Sequence, residues 1–241
     1  MKSYKGRGIV LNTLKYGDRS LIVHLLTDVG GRQSFMVPGI RSSQGRGSKA
    51  GLFQPLFALA FEGLESPKME MHRFKEVQSG IVLTSTPFDV RKSTIALFMA
   101  EVLYRLVRES EANPTLFDFV WGSIEALDHL EEGVANFHLW FLSNLSRLLG
   151  FYPTGEYHPG EWFDIREGAF TDQQPLHPQH FTPENAAFFR DFTECDVRFL
   201  GEIGMNRHQR VHLMQDLLTY YAYHLDAIQQ VRSIEVLQSV F

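Results

Sequence analysis

Lysines and arginines crowd the opening of this chain: Lys2, Lys5, Arg7, Lys15, Arg19, Arg32, Arg41, Arg46, Lys49, Arg73 and Lys75. The first 50 residues carry nine cations against only Asp18 and Asp28. Side chains of this kind attract phosphates by neutralising charge and releasing counterions, and they need no base-specific reading to do so. The overall net charge of −5 conceals the pattern. Residues 1–92 hold 14 Lys/Arg against 7 Asp/Glu, a balance of +7, whereas residues 93–241 hold 9 against 21, a balance of −12. All nine of the later cations are arginines. A split of this size suggests two units with different partners. The alternative is solubility charge that happens to be uneven.

Covalent chemistry has little to work with. No G-x-x-x-x-G-K-[ST] phosphate loop occurs, and Gly45, Gly47 and Gly51 miss the dinucleotide fingerprint in spacing and in context. There is no G-x-S-x-G nucleophile elbow. Cys195, the single cysteine, reads as a small core residue at a helix end, and it excludes an internal disulfide or a multi-cysteine metal site. Among ten histidines, His177 and His180 stand three apart with His158 and Glu161 upstream, and His208 and His212 are one helical turn apart. Zinc prefers four ligands in tight local pairs, a density these residues do not reach. The expectation is a protein that is not an enzyme and that needs neither metal nor cofactor.

Two kinds of element must hold these residues. Short runs of Val, Ile, Leu, Thr and Phe between glycine-bearing turns predict strands near 7–14, 20–27, 32–37, 52–61 and 69–77. Five strands with one long connection suit an OB-type Greek-key barrel. That connection, 39–51, has four glycines and three serines with Arg41, Arg46 and Lys49, so it is expected on the surface as a mobile loop. Of the nearby aromatics Tyr4, Tyr16, Phe35, Phe53 and Phe74, several must fill the barrel and the rest are free to stack on bases.

After Pro87 the period lengthens to about 3.6. Ile95, Phe98, Met99, Val102, Leu103, Leu106 and Val107 share one helical face. Asn113 and Pro114 open a second helix, Phe137 to Leu149 form a third that Gly150 closes, Pro183 starts a short one, and Asn206 caps a long one. Residues 151–183, with Pro153, Pro159, Pro175 and Pro178 ahead of Pro183, read as an irregular insertion with a small hairpin through 162–165 and 169–171. The fold class expected is therefore α+β in two domains, a barrel over 1–80 and helices over 81–241. No signal-peptide pattern opens the chain and no apolar run approaches the roughly 20 residues of a membrane span, which points to the cytoplasm.

An ordered series of segments resembles the RecO family of recombination mediators. It begins with Gly8-Ile9-Val10-Leu11, Lys15-Tyr16-Gly17 and Leu21-Ile22-Val23, and continues through Val37-Pro38-Gly39-Ile40-Arg41 and Leu52-Phe53-Gln54-Pro55. Pro87-Phe88-Asp89, Glu101-Val102-Leu103-Tyr104, Leu148-Leu149-Gly150-Phe151-Tyr152-Pro153 and Leu217-Leu218-Thr219-Tyr220-Tyr221 follow, so nearly the whole chain is covered. The version it looks most like is that of the Bacteroidetes.

The resemblance implies an N-terminal OB domain that binds single- and double-stranded DNA, annealing of strands coated by single-strand-binding protein, and cooperation with RecR to load RecA. It places Arg41 in the family's basic loop, with Arg46 and Lys49 in the same loop, while Lys5, Arg7, Arg32 and Arg73 rest on charge alone. It also implies that the helical domain docks the acidic, apolar tail of single-strand-binding protein. Arg105, Arg108, Arg147, Arg207 and Arg210 are the cations available for that, unless they pair with neighbouring carboxylates. Many family members carry a four-cysteine zinc module after the Leu-Gly-Phe-x-Pro segment, and here that stretch has no cysteine. The competing function is a protein–protein adaptor whose OB fold has no DNA role.

Overall fold

A computed structural model describes residues 2–39, 49–65, 71–108, 110–225, 228 and 231–241. The chain packs as two compact units, one of residues 1–89 with 96–128 and the other of residues 90–95 with 129–241. The architecture is α+β, a five-stranded sheet followed by helices.

In the first unit β1 (Lys2–Tyr16), β2 (Ser20–Thr27), β3 (Gly31–Val37), β4 (Ala58–Glu65) and β5 (His72–Ser79) pair in the order β1-β2-β3-β5-β4, with β4 returning to β1. The ring is uneven. Antiparallel ladders of seven or eight residue pairs join β1 to β2, β1 to β4 and β2 to β3, but β3 meets β5 in parallel through only Phe35↔His72 and Met36↔Arg73. Side chains complete that seam. The Phe35 ring lies against His72 at 5.3 Å and stacks on Phe74 at 4.3 Å, and the Tyr4 hydroxyl meets His72 Nδ1 at 2.8 Å. Burial of that hydroxyl, with Glu65 nearby, pushes the Tyr4 pKa up to about 12.

Strand alternation explains the interior. Val10, Val23, Leu25, Phe35, Leu59 and Phe61 point inward and form one core with Phe53, and each large apolar side chain so buried contributes about 1.5–3 kcal/mol. The strand expected from Leu52 begins only at Ala58. Residues Lys49–Phe53 instead make one 3₁₀ turn, which lets Phe53 drop onto Phe74 as a plug at the end of the barrel. Alternation alone does not separate such a turn from a strand start.

Also in this unit, α2 (Pro114–His129) starts where the Asn113 side chain accepts the Leu116 amide, and it buries Leu116, Phe117, Val120, Ile124 and Leu127. The helix α1 (Val90–Leu106) buries Ile95, Phe98, Met99, Val102 and Leu103, as its periodicity predicts. No helix among the described residues is long and apolar enough to cross a membrane.

In the second unit α3 (Phe137–Leu148), α4 (Pro183–Glu194) and α5 (Arg207–His224) pack together, and α6 (Ser233–Val240) follows. The chain leaves α3 by hydrogen bonds from Gly150 N to Arg147 O and from Phe151 N to Ser146 O. This seats Phe151 against Tyr221 and His224. Asn206 caps α5 in a capping box with Gln209, as expected from its position. The insertion is more regular than its prolines suggest. Strands β6 (Trp162–Asp164), β7 (Ala169–Thr171) and β8 (His180–Phe181) form a small sheet in the order β7-β6-β8, and β8 has no periodic signal because it is only two residues long.

Candidate nucleic-acid interface

The strands of the barrel alternate, so the residues between its core positions face outward. On β1 these include Ser3, Lys5 and Arg7, on β4 Glu62 and Leu64, and on β5 Arg73. Lys5 sits opposite Glu62, which also accepts a 2.8 Å ion pair from Lys75. The Lys75 hydrogen bond, reinforced by the charges of Lys75 and Lys5, holds the Glu62 carboxyl below its usual range. Lys5 and Arg73 are exposed, and neither makes an ion pair within 4 Å among the described residues.

Two of the expected cations are engaged inside their own unit. Arg7 donates from Nε to Asp28 at 3.0 Å, approaches Asp118 at 3.4 Å, and lies over the Phe117 and Trp121 rings at 5.0 and 5.2 Å. Arg32 donates to the Tyr104 carbonyl at 3.0 Å and lies over the Tyr104 ring at 5.3 Å. A guanidinium at the last carbonyls of α1 is favoured by the helix dipole. Sequence alone cannot separate these two from Lys5 or Arg73, because their partners lie far away along the chain. Arg41 and Arg46 are outside the described residues, as is the side chain of Lys49, although its backbone opens the 3₁₀ turn.

The distal tip of the β1–β2 hairpin was not singled out by composition. It presents Leu14 at 46% and Tyr16 at 51% exposure, between Lys15 and Arg19. The signal that finds it is the short polar–apolar alternation Thr13-Leu14-Lys15-Tyr16, which lies beyond the last position with a β4 partner, Ile9.

The arginines considered for a peptide tail separate between the two units. Arg105 pairs with Glu101 at 2.9 Å, and Arg108 Nε donates to the Arg105 carbonyl. Both belong to the first unit. In the second unit Arg147 stacks over Tyr152 at 4.1 Å. Arg207 and Arg210 share a crevice with His138, Met214, Leu237 and Phe241, where Arg207 donates to the Gln238 carbonyl and Arg210 to the Met205 carbonyl.

The residues of 151–183 do not fit a four-cysteine zinc module. His177 Nε2 meets Asp164 Oδ2 at 3.1 Å and His158 pairs with Glu161. Among the described residues no three His, Cys, Asp or Glu side chains are grouped to hold a metal ion. The small sheet is instead tied down by Phe163 and Phe181, whose rings pack with Phe189 and Tyr220 at 5.1–6.1 Å. Cys195 is only part-buried. Burial and the charges of Asp196, Glu202 and Asp191 push its thiol up, which disfavours the thiolate a nucleophile needs.

Two family models match this chain: "Recombination protein O N terminal" over residues 1–81 and "Recombination protein O C terminal" over residues 87–232. A DNA repair protein RecO of Bacteroides fragilis is 40% identical over 236 residues, spanning 97% of each chain. Those of Phocaeicola vulgatus and Flavobacterium psychrophilum are 37% and 34% identical over 97% and 98% of each chain.

Proposed function

Because this chain belongs to the RecO family of DNA repair proteins, we propose that it is a non-enzymatic mediator of recombinational repair that binds DNA through its N-terminal barrel. In this reading residues 1–80 are an OB-fold module and residues 81–241 the partner-binding helical domain. It anneals strands coated by single-strand-binding protein and acts with RecR in loading RecA. The strand order β1-β2-β3-β5-β4 with return to β1 supports the OB assignment.

The observation that carries the DNA role is the charge layout, +7 over residues 1–92 against −12 over residues 93–241, with Lys5 and Arg73 exposed on the barrel's outer face. Lys5, Arg73, Arg41, Arg46 and Lys49 are the phosphate contacts in this reading. Arg7 and Arg32 hold the barrel's outer face to the helices of its own unit. A protein tail with acidic and apolar character would dock at Arg207 and Arg210, where two guanidiniums flank an apolar crevice.

A salt titration tests the reading. If about six phosphates are neutralised, affinity for duplex DNA falls on the order of a thousandfold between about 50 and 200 mM salt. Replacing Arg41, Arg46 and Lys49 by alanine should reduce that slope with little change in melting temperature. An adaptor without a DNA role would show no affinity even at the lower salt.

A further inference from the structure

The register of the barrel sets Leu14, Ile22, Met36 and Arg73 in one row across β1, β2, β3 and β5. Opposed residues share a face. Val23 and Phe35, next to Ile22 and Met36, point into the core, so this row faces outward. The adjoining row, with His24 and Ser34, is partly covered, because Tyr104 packs on His24 at 5.3 Å and is held by Arg32. The outer face of β2–β3 is thus closed at one end and accessible at the other. Beyond the accessible end the hairpin continues to Tyr16↔Ser20, on the same face as Leu14. Gly17 takes φ 57 there, with nothing within 4 Å of where a Cβ would stand.

At this tip an aromatic ring half exposed to solvent is bracketed by two cations, and Arg73 lies at the far end of the row. Among the described residues Lys15, Arg19 and Arg73 make no ion pair within 4 Å, Tyr16 makes no ring contact or side-chain hydrogen bond, and Asp18 is the one opposing charge within the turn. A single strand offers phosphates spaced along a backbone and base faces that stack on aromatic rings. The occupant that fits a ring and an apolar strip flanked by unpaired cations is single-stranded nucleic acid rather than an apolar protein face.

Resting on the DNA-binding reading above, we propose that the tip of the β1–β2 hairpin is a stacking finger for single-stranded nucleic acid. Tyr16 supplies the ring, Leu14, Ile22 and Met36 the apolar strip beneath neighbouring bases, and Lys15, Arg19 and Arg73 the phosphate contacts. At the same end of the sheet Val37 closes β3, paired with Leu21 and through it beside Lys15.

Binding of the full chain to an oligodeoxythymidylate of about 20 nucleotides, and to one of the same length with a central 2-aminopurine, tests the finger. Tyr16→Ala should weaken binding about 5- to 150-fold and abolish the change in 2-aminopurine fluorescence, whereas Tyr16→Phe should retain both. Tyr16→Leu, which keeps the apolar bulk, should behave like the alanine variant. Lys15→Ala with Arg19→Ala should lower the single-strand salt slope by about 1.4, near 0.7 for each lost contact. Wild-type affinity and fluorescence in Tyr16→Ala, with salt-dependent binding intact, would overturn the finger and leave the DNA-binding reading standing. Absence of single-strand binding by the wild-type chain would overturn both.

Discussion

Asp128, at the end of α2, accepts the backbone amide of Thr86 at 2.7 Å. It also takes the amides of Thr84 and Ser85 at 2.8 and 3.0 Å and the Thr84 hydroxyl at 2.9 Å. One carboxylate thus fixes the segment that follows the barrel. Burial opposes its ionisation, but these donors outweigh burial and hold the carboxyl far below the usual carboxylate range.

Asp128→Asn should therefore destabilise the chain by about 2–4 kcal/mol at neutral pH, because an amide offers one acceptor where the carboxylate offers two and brings an unpaired donor. The folded-state pKa is depressed, so the carboxylate's contribution is complete above about pH 4 and is lost as pH falls below it. Urea midpoints of wild type and variant should differ most near neutrality and converge in acid. An equal gap at both pH values would show that charge is not what stabilises this contact.

Gly133 has φ 73, and a Cβ there would stand 2.4 Å from backbone atoms of Leu200 and Gly201. Backbone cannot yield as a side-chain end can. The same close approach lets Asn136 Nδ2 donate to the carbonyls of Leu200 and Ile203 at 3.1 and 2.9 Å. Gly133→Ala should cost more than the about 1 kcal/mol of left-handed strain alone, and about 3 kcal/mol or more is expected. Thermal unfolding of the variant within a degree or two of wild type would contradict the packing described.

The sequence was most informative where one residue acts through its neighbours along the chain. Asn206 as a cap, the Ile95–Leu103 stripe and the β2 strand all depend on local period or capping chemistry, and each stands where it was expected. Residues whose partners are distant were opaque. Arg7 differs from Lys5 because Asp28 and, more than a hundred residues along the chain, Phe117, Asp118 and Trp121 approach it, and Phe181 joins Phe163 only because a two-residue strand brings it there. The tip of the hairpin was legible in part. Lys15, Tyr16 and Arg19 were visible as cations and an aromatic, but their exposure depends on how far β1 outruns β4.

His138 is buried in α3 at 3% exposure, and burial, helped by the charge of Arg210, lowers its pKa to about 3. The folded state thus excludes a proton that the unfolded chain binds below about pH 6.5. Stability tied to the neutral ring is complete above pH 6.5 and declines as pH falls toward 3, by up to about 1.4 kcal/mol per pH unit. His138→Phe keeps a ring to stack on Phe241 and removes the titration. Its urea midpoint relative to wild type should rise steadily between pH 6.5 and 4.5, and a pH-independent difference would place the protonation elsewhere.

Arg7 and Arg32 provide the sharpest separation between holding the barrel and holding DNA. Both are cations of the basic half, and charge counting treats them like Lys5 and Arg73. Their side chains nevertheless face Asp28, Asp118 and the Phe117 and Trp121 rings in one case, and the Tyr104 carbonyl and ring in the other. An ion pair half open to solvent contributes little, and a guanidinium over an aromatic ring adds about 0.5–1 kcal/mol, so Arg7→Ala should cost about 1 kcal/mol. Arg32→Ala should cost about the same, since it also loses the bond to the end of α1. Neither should change the salt slope of DNA binding, because neither guanidinium is available to release a phosphate counterion. Lys5→Ala and Arg73→Ala should do the reverse, each lowering the duplex slope by about 0.9 with the melting temperature held. Melting curves and salt titrations on the four variants decide the matter, and a slope that drops in Arg7→Ala but not in Arg73→Ala would exchange the two assignments.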